Sequence, residues 1–463
     1  MKTAGGTRQT GAAHGTRMPD GTEVAVALGR RGFLRQAFGI GTLAAAGACG
    51  APATVPASQG STPGSPTGSG DEVPPSILAL KPMTAGIVPI AEEERRARID
   101  KARRLMAEQK IDALFIEPGS SLFYFTSVQW GLSERPFGMV LPARGEIAYI
   151  SPKFEEARAR ELTKFSNDVR TWEEDQSPYA VIAGAMGDRG MATGRIGIEE
   201  RCRFFIYDGI RKEAPRAEFV DATPITAGCR MFKSPAEIAL MQRANDITLA
   251  AYRAAFETLR EGMSQFEFRR NVEAAHRALG APGGSAGAQF GEFSAFPHGS
   301  ITPQALKEGD VMLVDGGCKV DGYSSDITRT TVFGTPSQRQ IDVWNLEKAA
   351  QAAAFEAAKV GVACEVVDAA ARKVITDAGF GPDYKVPGLP HRTGHGIGLD
   401  GHEWTNFVRG NKTPLAPGMC FSDEPMVAIY GEFGIRLEDC LYMTEAGARF
   451  FTAPSPSIDK PFA

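Results

Sequence analysis

The sequence predicts an α/β domain followed by an α+β domain, and three observations lead to this fold class. Short apolar strands alternate with helical segments between residues 90 and 228. After residue 229, helices with clear N-terminal signals alternate with strands suited to antiparallel pairing. The chain has 463 residues, 43% of them hydrophobic, which is enough for more than one core. We therefore expect domains at residues 90–228 and 229–455.

The beginning of the chain carries an export pattern. Arg30 and Arg31 form a twin-arginine pair that precedes a small-residue apolar run from Ala37 to Ala48. This run is too short to cross a membrane as a helix. Residues 1–53 are therefore predicted to be a twin-arginine signal peptide, and the mature protein is expected in the periplasm. The alternative is a basic amphipathic N-terminus of a cytoplasmic protein.

The end of the signal and the segment after it raise two further expectations. Cys49 follows Ala-Gly-Ala and resembles a lipoprotein acylation site, so a lipid anchor there is the one membrane attachment that the sequence indicates. Residues 54–80 are rich in Ser, Gly and Pro, which predicts a disordered linker.

The composition excludes several classes of protein. The formal net charge of -4 and the mixed charges give no basic stripe, so no nucleic-acid partner is expected. The seven cysteines have no CxxC pair or regular spacing and do not predict a disulfide scaffold. The first half of the chain has no cluster of chemically active residues, so a recognition or packing role is expected for it.

Apolar periodicity and capping signals place the elements of both domains. In the first domain the predicted strands are 113–116, 139–142, 147–150, 196–198 and 219–220, with helices around 99–106, 154–162 and 179–186. In the second domain four helices are predicted to start at Ser234 with Glu237, Ser264 with Glu267, Ser337 with Gln340, and near Glu365. The predicted strands of that domain are 311–319, 323–333, 419–427 and 434–443.

A hairpin at 311–331 is the first candidate site. Asp321-Gly322 is a two-residue turn signal between two apolar or β-branched runs. With that turn, Asp326 lies on the same face as Asp315 and diagonal to it, about 7 Å away. This separation suits two carboxylates that hold a metal ion or a metal pair between them. Taken alone, the pattern fits a turn with solvated aspartates equally well.

Four of the six histidines fall in two short polar clusters, with His298 in one and His391, His395 and His402 in a Gly-rich loop. Such a loop brings imidazoles close to the backbone and suits metal ligation and oxyanion contacts. His276 lies alone in a predicted helix and is expected to be structural.

Two further carboxylates, Glu424 and Glu438, lie in strand-like apolar runs. A buried ionised carboxylate is costly unless it is paired or bound to a metal. Together with Asp315, Asp326 and His395 they give four negative charges, which balance two divalent cations. An oxygen-rich set with one nitrogen favours Mn, with Co or Zn as alternatives, over a thiolate-type site.

In these motifs residues 90–455 resemble the pita-bread metallopeptidases, in the branch of aminopeptidase P and prolidase. The matching features are the eleven-residue spacing of the two aspartates, the HxxxHGIGxxxH motif, an EP step and the RLED motif. The resemblance implies a creatinase/prolidase-type N-terminal domain at 90–228, followed by a pita-bread catalytic domain at 229–455.

The resemblance implies five ligands for two divalent ions. Asp315 is expected to bind one ion, Asp326 and Glu438 to bridge both, and His395 and Glu424 to complete the second site.

Five residues receive other roles from the same resemblance. They are Glu424 as proton shuttle, His298 in the substrate pocket, His391 orienting the substrate, His402 stabilising the transition state, and Arg436 positioning the bridging glutamate.

The activity implied is hydrolysis of the Xaa-Pro bond of peptides by an exported dinuclear-metal enzyme, either an Xaa-Pro aminopeptidase or an Xaa-Pro dipeptidase. The expected partner is a peptide with proline at the second position, and family analogy predicts a homo-oligomer. Two alternatives remain, a metal-independent creatinase-like C–N hydrolase and a non-catalytic pita-bread binding module. Arg409 either binds the carboxylate of a dipeptide or is a solvated loop arginine.

Two departures from the family pattern fall near the site. Gly401 replaces a residue that is usually β-branched, and Ser422 and Asp423 precede Glu424 where an apolar pair is common. Neither departure is expected to touch a ligand, but Asp423 is expected to add charge near the metals.

Overall fold

The computed structural model describes residues 73–463. The predicted signal peptide at 1–53, the acylation site proposed at Cys49 and most of the predicted linker lie outside the described residues. The linker prediction is wrong at its end, where Pro75–Leu78 form helix α1 and Ile77 is buried. This segment is ordered because it packs on two helices of the second domain.

The first domain is a mixed sheet with flanking helices, and the predicted alternation of strand and helix is confirmed. Its strands are β1 (Ala113–Ile116), β2 (Gly138–Pro142), β3 (Ala148–Pro152), β4 (Val169–Trp172), β5 (Arg195–Ile198) and β6 (Glu218–Asp221). Its helices are α2 (Glu92–Gln109), α3 (Ser120–Thr126), α4 (Glu156–Leu162), α5 (Pro178–Gly187), α6 (Phe204–Glu213) and α7 (Thr223–Arg230). The spatial order is β4-β3-β2-β1-β5-β6, with β1 antiparallel to β2 and parallel to β5. Strand β4 was not predicted because only its two end residues are buried.

The second domain has four long helices and antiparallel sheets, as predicted. Its helices are α8 (Pro235–Phe256), α9 (Gln265–Ala278), α10 (Gln338–Ala357) and α11 (Cys364–Asp377). Its strands are β7 (Ser285–Phe290), β8 (Val311–Gly317), β9 (Lys319–Val320), β10 (Tyr323–Ser324), β11 (Ile327–Val332), β12 (Gly394–Gly396), β13 (Glu403–Phe407), β14 (Cys420–Asp423), β15 (Met426–Ile429), β16 (Phe433–Arg436), β17 (Asp439–Thr444) and β18 (Gly447–Phe450). The larger sheets have the orders β11-β8-β7 and β13-β12-β14-β17-β18.

Capping interactions begin three of these helices as predicted. Ser234 and Ser337 each form a complete capping box with the residue three positions later. Ser264 Oγ accepts a hydrogen bond from the backbone N–H of Glu267. These side chains satisfy N–H groups that have no partner inside the helix, so they fix the first residue of each helix. Helix α8 then packs against the hairpin that carries the two aspartates.

The register of that hairpin is the predicted one. Strands β8 and β11 pair with Thr328 opposite Asp315, which places Asp326 diagonal to Asp315 on the same face. Asp321 and Gly322 have φ angles of 46° and 85°. Both angles are positive, as a two-residue type I′ turn requires.

The strands predicted through Glu424 and Glu438 are each interrupted at the carboxylate. Strand β14 ends just before Glu424 and β15 begins after Pro425, which has no N–H to donate to a ladder. Strands β16 and β17 likewise end and begin on either side of Leu437 and Glu438. The backbone N–H of Glu438 donates instead to the carbonyl of Thr328, at 3.2 Å. Each interruption turns a carboxylate out of its sheet.

The tip of the hairpin contacts both domains. The hydroxyl of Tyr323 donates to Glu237 at 2.7 Å and accepts from Arg98 of α2 at 3.2 Å. Lys319 Nζ donates to the carbonyl of Leu399 at 2.7 Å. The hairpin is therefore fixed to the first domain, to α8 and to the histidine-rich loop.

Residues that the sequence treats as structural are buried as expected. His276 is fully buried, and its Nδ1 lies 2.9 Å from the carbonyl of Val272. All six cysteines within residues 73–463 are free, and all except Cys202 are buried. None of the helices in this range combines the length and the apolar character needed to cross a membrane.

Candidate metal centre

All nine residues that the sequence nominates for the site line one cavity of about 380 Å³ in the second domain. They are Asp315, Asp326, Glu424, Glu438, His298, His391, His395, His402 and Arg436. Pro297 and Arg392 complete the lining. The candidate ligands come from the β8–β11 hairpin, from β12, and from the bends that follow β14 and β16. Distant segments of the chain therefore converge on one polar cavity.

Three of the candidate ligands form a compact group. One ligand atom from each of Asp326, His395 and Glu438 lies within 4.8 Å of the other two. His395 Nε2 is 3.1 Å from Glu424 Oε1 and 3.8 Å from Asp326 Oδ2. The imidazole thus faces three carboxylates from separate elements.

The orientation of His395 is set by its second nitrogen. Nδ1 lies 3.1 Å from the carbonyl oxygen of Gly396, which accepts hydrogen bonds only. Nδ1 therefore carries a proton, and Nε2 is the atom that faces the carboxylates. Burial lowers the pKa of His395, but the charge and hydrogen bond of Glu424 outweigh it and raise the pKa, which favours a proton on Nε2 when no metal ion is bound. Because Nδ1 is hydrogen-bonded to a carbonyl, Nε2 is the atom that would bind a metal ion in place of that proton.

The prediction that Ser422 touches no candidate ligand is wrong. Ser422 Oγ accepts from the backbone N–H of His395 at 3.0 Å and donates to Glu424 Oε1 at 3.0 Å. The hydroxyl thus links two candidate ligands. Asp423 is fully buried, and burial raises its pKa well above the usual range, which opposes the negative charge expected of it.

Arg436 contacts a different carboxylate from the one predicted. Its Nη2 lies 2.5 Å from Asp315 Oδ2, whereas it reaches Glu438 only through the hydroxyl of Thr328. That hydroxyl lies 2.9 Å from Asp315 Oδ1 and 2.7 Å from Glu438 Oε2. Arg436 and Thr328 therefore hold two carboxylates in fixed orientations.

The carboxylates oppose one another electrostatically. Burial and the neighbouring Asp315 raise the pKa of Asp326 to about 7. Burial and the charge of Asp326 also raise the pKa of Glu438 well above its usual range. Burial would raise the pKa of Glu424 as well, but the charge and hydrogen bond of His395 outweigh it and lower the pKa.

This donor set fits divalent metal ions. Glu438 Oε1 is buried and has no hydrogen-bond partner among the described residues, although a carboxylate oxygen in that position needs one. The raised pKa values of Asp326 and Glu438 show that protein cations do not balance the cluster. A bound cation supplies both the missing partner and the missing charge.

Family comparisons cover both domains. The family model of the Metallopeptidase family M24 matches residues 239–445, and that of the Creatinase/Prolidase N-terminal domain matches residues 98–232. An uncharacterised peptidase of Schizosaccharomyces pombe is 36% identical over 407 residues, covering 82% of this chain and 87% of the relative. The chain belongs to metallopeptidase family M24.

Other relatives and solved structures agree with this assignment. The Xaa-Pro dipeptidase of Lactobacillus helveticus is 31% identical over 76% of this chain and 96% of its own. The crystal structure of dipeptidase PepE from Mycobacterium ulcerans superposes with a TM-score of 0.74 at 29% identity, covering 81% of this chain and 100% of that one. The crystal structure of a dipeptidase from Pyrococcus horikoshii superposes with a TM-score of 0.72 at 29% identity, covering 78% of this chain and 99% of that one. The predicted pita-bread catalytic domain behind a creatinase/prolidase-type domain is confirmed.

Two further histidines of this metallopeptidase present opposite hydrogen-bonding groups. His391 Nδ1 lies 2.7 Å from the carbonyl oxygen of Arg392, so Nδ1 carries the proton and Nε2 is an acceptor. That Nε2 is buried without a partner among residues 73–463. In contrast, His402 Nδ1 accepts a hydrogen bond from Arg392 Nη2 at 3.0 Å, which leaves the proton on Nε2 as a donor.

His402 is neutral at physiological pH. Partial burial, then the charge of His395 beside it, then that of Arg392 lower its pKa to about 4. The rings of His402 and His395 lie with their centres 3.9 Å apart. A neutral N–H donor is therefore held next to the candidate ligands.

The loop around His402 is fixed by ion pairs at the domain boundary. Asp400 accepts hydrogen bonds from Ser120 at 2.6 Å, Arg201 at 3.0 Å and Arg230 at 2.6 Å. Glu403 pairs with Arg230 and also with Lys233 at 2.9 Å. Burial raises the pKa of Glu403, but Lys233 and Arg230 outweigh it and lower the pKa to about 2. Residues from the first domain and the domain junction thus hold both flanks of His402.

Sequence reasoning missed Arg392 and Thr328. Of the two roles left open for Arg409, the structure favours the solvated loop arginine. Arg392 follows His391 directly in the histidine-rich loop, and this proximity was the available signal. Thr328 lies two residues after Asp326, so its side chain is on the same face of the hairpin, opposite Asp315. Arg409 lies outside the metal cavity, in a separate groove, where it pairs with Asp383 at 2.6 Å.

Proposed function

We propose that this metallopeptidase hydrolyses the Xaa-Pro bond of short peptides. The observation that carries the proposal is the single cavity in which four carboxylates and Nε2 of His395 converge beside the N–H donor of His402. The relatives from Lactobacillus helveticus and Pyrococcus furiosus that are named Xaa-Pro dipeptidase support the substrate class.

Two divalent ions are the proposed cofactors. Asp315, Asp326, His395, Glu424 and Glu438 would hold them, with Mn favoured and Co or Zn as alternatives. Ions in such sites lower the pKa of a bound water and polarise a carbonyl group.

The chain's own residues supply the proton transfers and the orientation. The Glu424 carboxylate takes a proton from the attacking water and gives it to the proline nitrogen as the C–N bond breaks. The Nε2–H of His402 donates to the oxygen of the scissile carbonyl, where negative charge develops. The partnerless Nε2 of His391 accepts an N–H from the substrate, and the exposed His298 also lines the cavity.

The proposal is tested with the purified chain after incubation with Mn²⁺. Ala-Pro is expected to be hydrolysed, and Ala-Ala is expected to be a much poorer substrate. Elemental analysis is expected to give about two divalent ions per chain. Failure to cleave any peptide with proline in the second position, in protein that has bound these ions, would reject the substrate class. A content well below two ions after reconstitution would reject the dinuclear site.

Export through the twin-arginine pathway to the periplasm is proposed from the sequence pattern at Arg30 and Arg31. A reporter fused to residues 1–80 is expected to leave the bacterial cytoplasm, and substitution of both arginines by lysine is expected to retain it there. Lipidation at Cys49 would place the exported reporter in the membrane fraction. A homo-oligomer is proposed by family analogy, and light scattering of the purified chain measures it.

A further inference from the structure

A short irregular segment, residues 389–392, carries His391 into the metal cavity. Backbone contacts fix the chain on either side of it. Gly388 exchanges two hydrogen bonds with Ala428, at 3.1 and 3.0 Å, and Thr393 takes part in two more. In the described part of the chain, no backbone hydrogen bond joins residues 389–392 to another backbone group. The position of His391 therefore depends on side chains that reach this segment.

Arg372 of helix α11 reaches the segment and bonds to its backbone. Its Nη1 donates to the carbonyl oxygens of Leu389 at 3.1 Å and Asp383 at 2.8 Å, and its Nη2 donates to the carbonyl oxygen of His391. The planar fork of N–H groups in a guanidinium allows these bonds to form together. Among residues 73–463, Arg372 is the one side chain outside the segment that hydrogen-bonds to its backbone.

A buried carboxylate holds Arg372 in place. Asp368 lies one turn earlier on α11, and its Oδ2 accepts a hydrogen bond from Arg372 Nε at 2.8 Å. Its Oδ1 accepts from the backbone N–H of Thr393 at 3.1 Å and from the Thr393 hydroxyl at 2.8 Å. The bonds between Asp368 and Thr393 do not involve the arginine, so the end of the segment nearer to His395 has a support of its own.

The ring of His391 is held no more firmly than its backbone. Nδ1 donates to the carbonyl oxygen of Arg392, which belongs to the same segment, and Nε2 is buried without a partner among the described residues. A shift of the segment therefore moves Nε2, the atom proposed to accept an N–H from the substrate. Misplacement of a substrate-orienting group by about 1 Å can cost about 100-fold in rate.

We infer that Arg372 is a positioning residue, which holds the carbonyl of His391 and so places Nε2 of His391 for the substrate. The inference rests on the proposed Xaa-Pro hydrolysis and adds to it a residue from outside the metal cavity. Arg372 lines the separate groove that also contains Arg409, and it does not line the metal cavity. It therefore acts through His391 and not on the substrate.

The test is a double-mutant cycle with R372M and H391A, assayed with Ala-Pro after incubation with Mn²⁺. R372M alone is expected to lower kcat/KM about 10- to 100-fold, because His391 is no longer held. In the H391A background the same substitution is expected to change kcat/KM less than about threefold, because the group through which it acts is already gone. The metal content is expected to stay unchanged, since Asp368 keeps its bonds to Thr393.

Two further variants separate positioning from loss of the fold. R372K keeps the charge beside Asp368 without the planar fork, so it is expected to melt close to the native chain and to lose an intermediate share of kcat/KM. The cycle is repeated with R372K and H391A, and the loss is again expected only where His391 is present. The matched control is R409M, which removes the other arginine that packs over the ring of Tyr384 and is expected to leave kcat/KM unchanged.

Equal losses from the Arg372 variants with and without H391A would overturn the inference, because they would show a general structural effect. A fall in R409M as large as that in R372M would also overturn it. Both outcomes leave Xaa-Pro hydrolysis by the native chain intact. If the metal-loaded native chain cleaved no peptide with proline in the second position, the proposed function would be rejected and the inference with it.

Discussion

The metal cavity and the domain boundary both bury carboxylates, but only the boundary supplies the cations that balance them. Around Glu403 two basic side chains outweigh the effect of burial and lower the pKa to about 2. Around Asp326 and Glu438, burial and neighbouring carboxylates raise both pKa values, and Arg436 does not compensate. The carboxylates at the domain boundary are therefore balanced by cations of the protein itself, whereas those in the metal cavity need an external cation.

The largest expected effect comes from removing one carboxylate of the unbalanced cluster. D326N is expected to lower kcat/KM at least about 100-fold. Removing a residue that only hydrogen-bonds to a metal ligand already costs up to about 100-fold, and Asp326 is itself a proposed ligand. The metal-free variant is expected to melt at the same temperature as the metal-free native chain, or higher, because repulsion with Asp315 is relieved. Calorimetry of both proteins without metal measures this. A clearly lower melting temperature for D326N would show that Asp326 is already balanced by the protein.

The balanced cluster is expected to behave in the opposite way. R230M leaves Asp400 and Glu403 buried with fewer partners, and breaking a buried pair by removing one side typically costs about 3–5 kcal/mol. Denaturant unfolding measures this loss, and kcat is expected to fall as well because His402 is less firmly held. R339M, which removes an arginine of the exposed pair with Glu432, is the control and is expected to change the free energy of unfolding far less. Equal losses in the two variants would contradict the comparison.

The smallest expected effect is a difference in pH dependence in the metal-free protein. Glu403 has a lowered pKa, so its contribution is present above its usual pKa of 4.5 and is lost as the pH falls toward 2. Asp326 has a raised pKa, so its destabilising effect appears as the pH rises from about 4 to about 7. Melting temperatures are measured against pH. The fall in stability at acidic pH that Glu403 causes is expected to disappear in E403Q. The fall in stability toward pH 7 that Asp326 causes is expected to disappear in D326N. The native chain with saturating Mn²⁺ is expected to lose only the pH dependence that Asp326 causes.

The sequence predicted the candidate site more completely than it predicted the strands that build it. The positions of Asp315 and Asp326 follow from a two-residue turn, because turn length fixes the register of a hairpin. The interruptions at Glu424 and Glu438 were missed, because apolar periodicity continues through both and the compensating backbone contacts come from remote segments.

Contacts between distant residues account for the other misses. The role of Ser422 depends on His395, which lies 27 positions earlier, and that of Arg230 depends on Glu403, which lies 173 positions later. No local pattern reports such pairs. Which ring nitrogen carries the proton in His391 and in His402 likewise depends on the carbonyl or guanidinium that the fold places beside each ring.

The hairpin tip has a consequence for how this enzyme can be divided. Tyr323 is held by Arg98 of the first domain and by Glu237 of the second, and Lys319 is tied to the loop that carries His402. The first domain therefore cannot be exchanged as an independent module. A chimera that replaced residues 90–228 with a related domain would need to restore Arg98 together with Arg201 and Ser120. Without them the catalytic domain would keep its candidate ligands and lose the alignment between its aspartates and its histidine-rich loop.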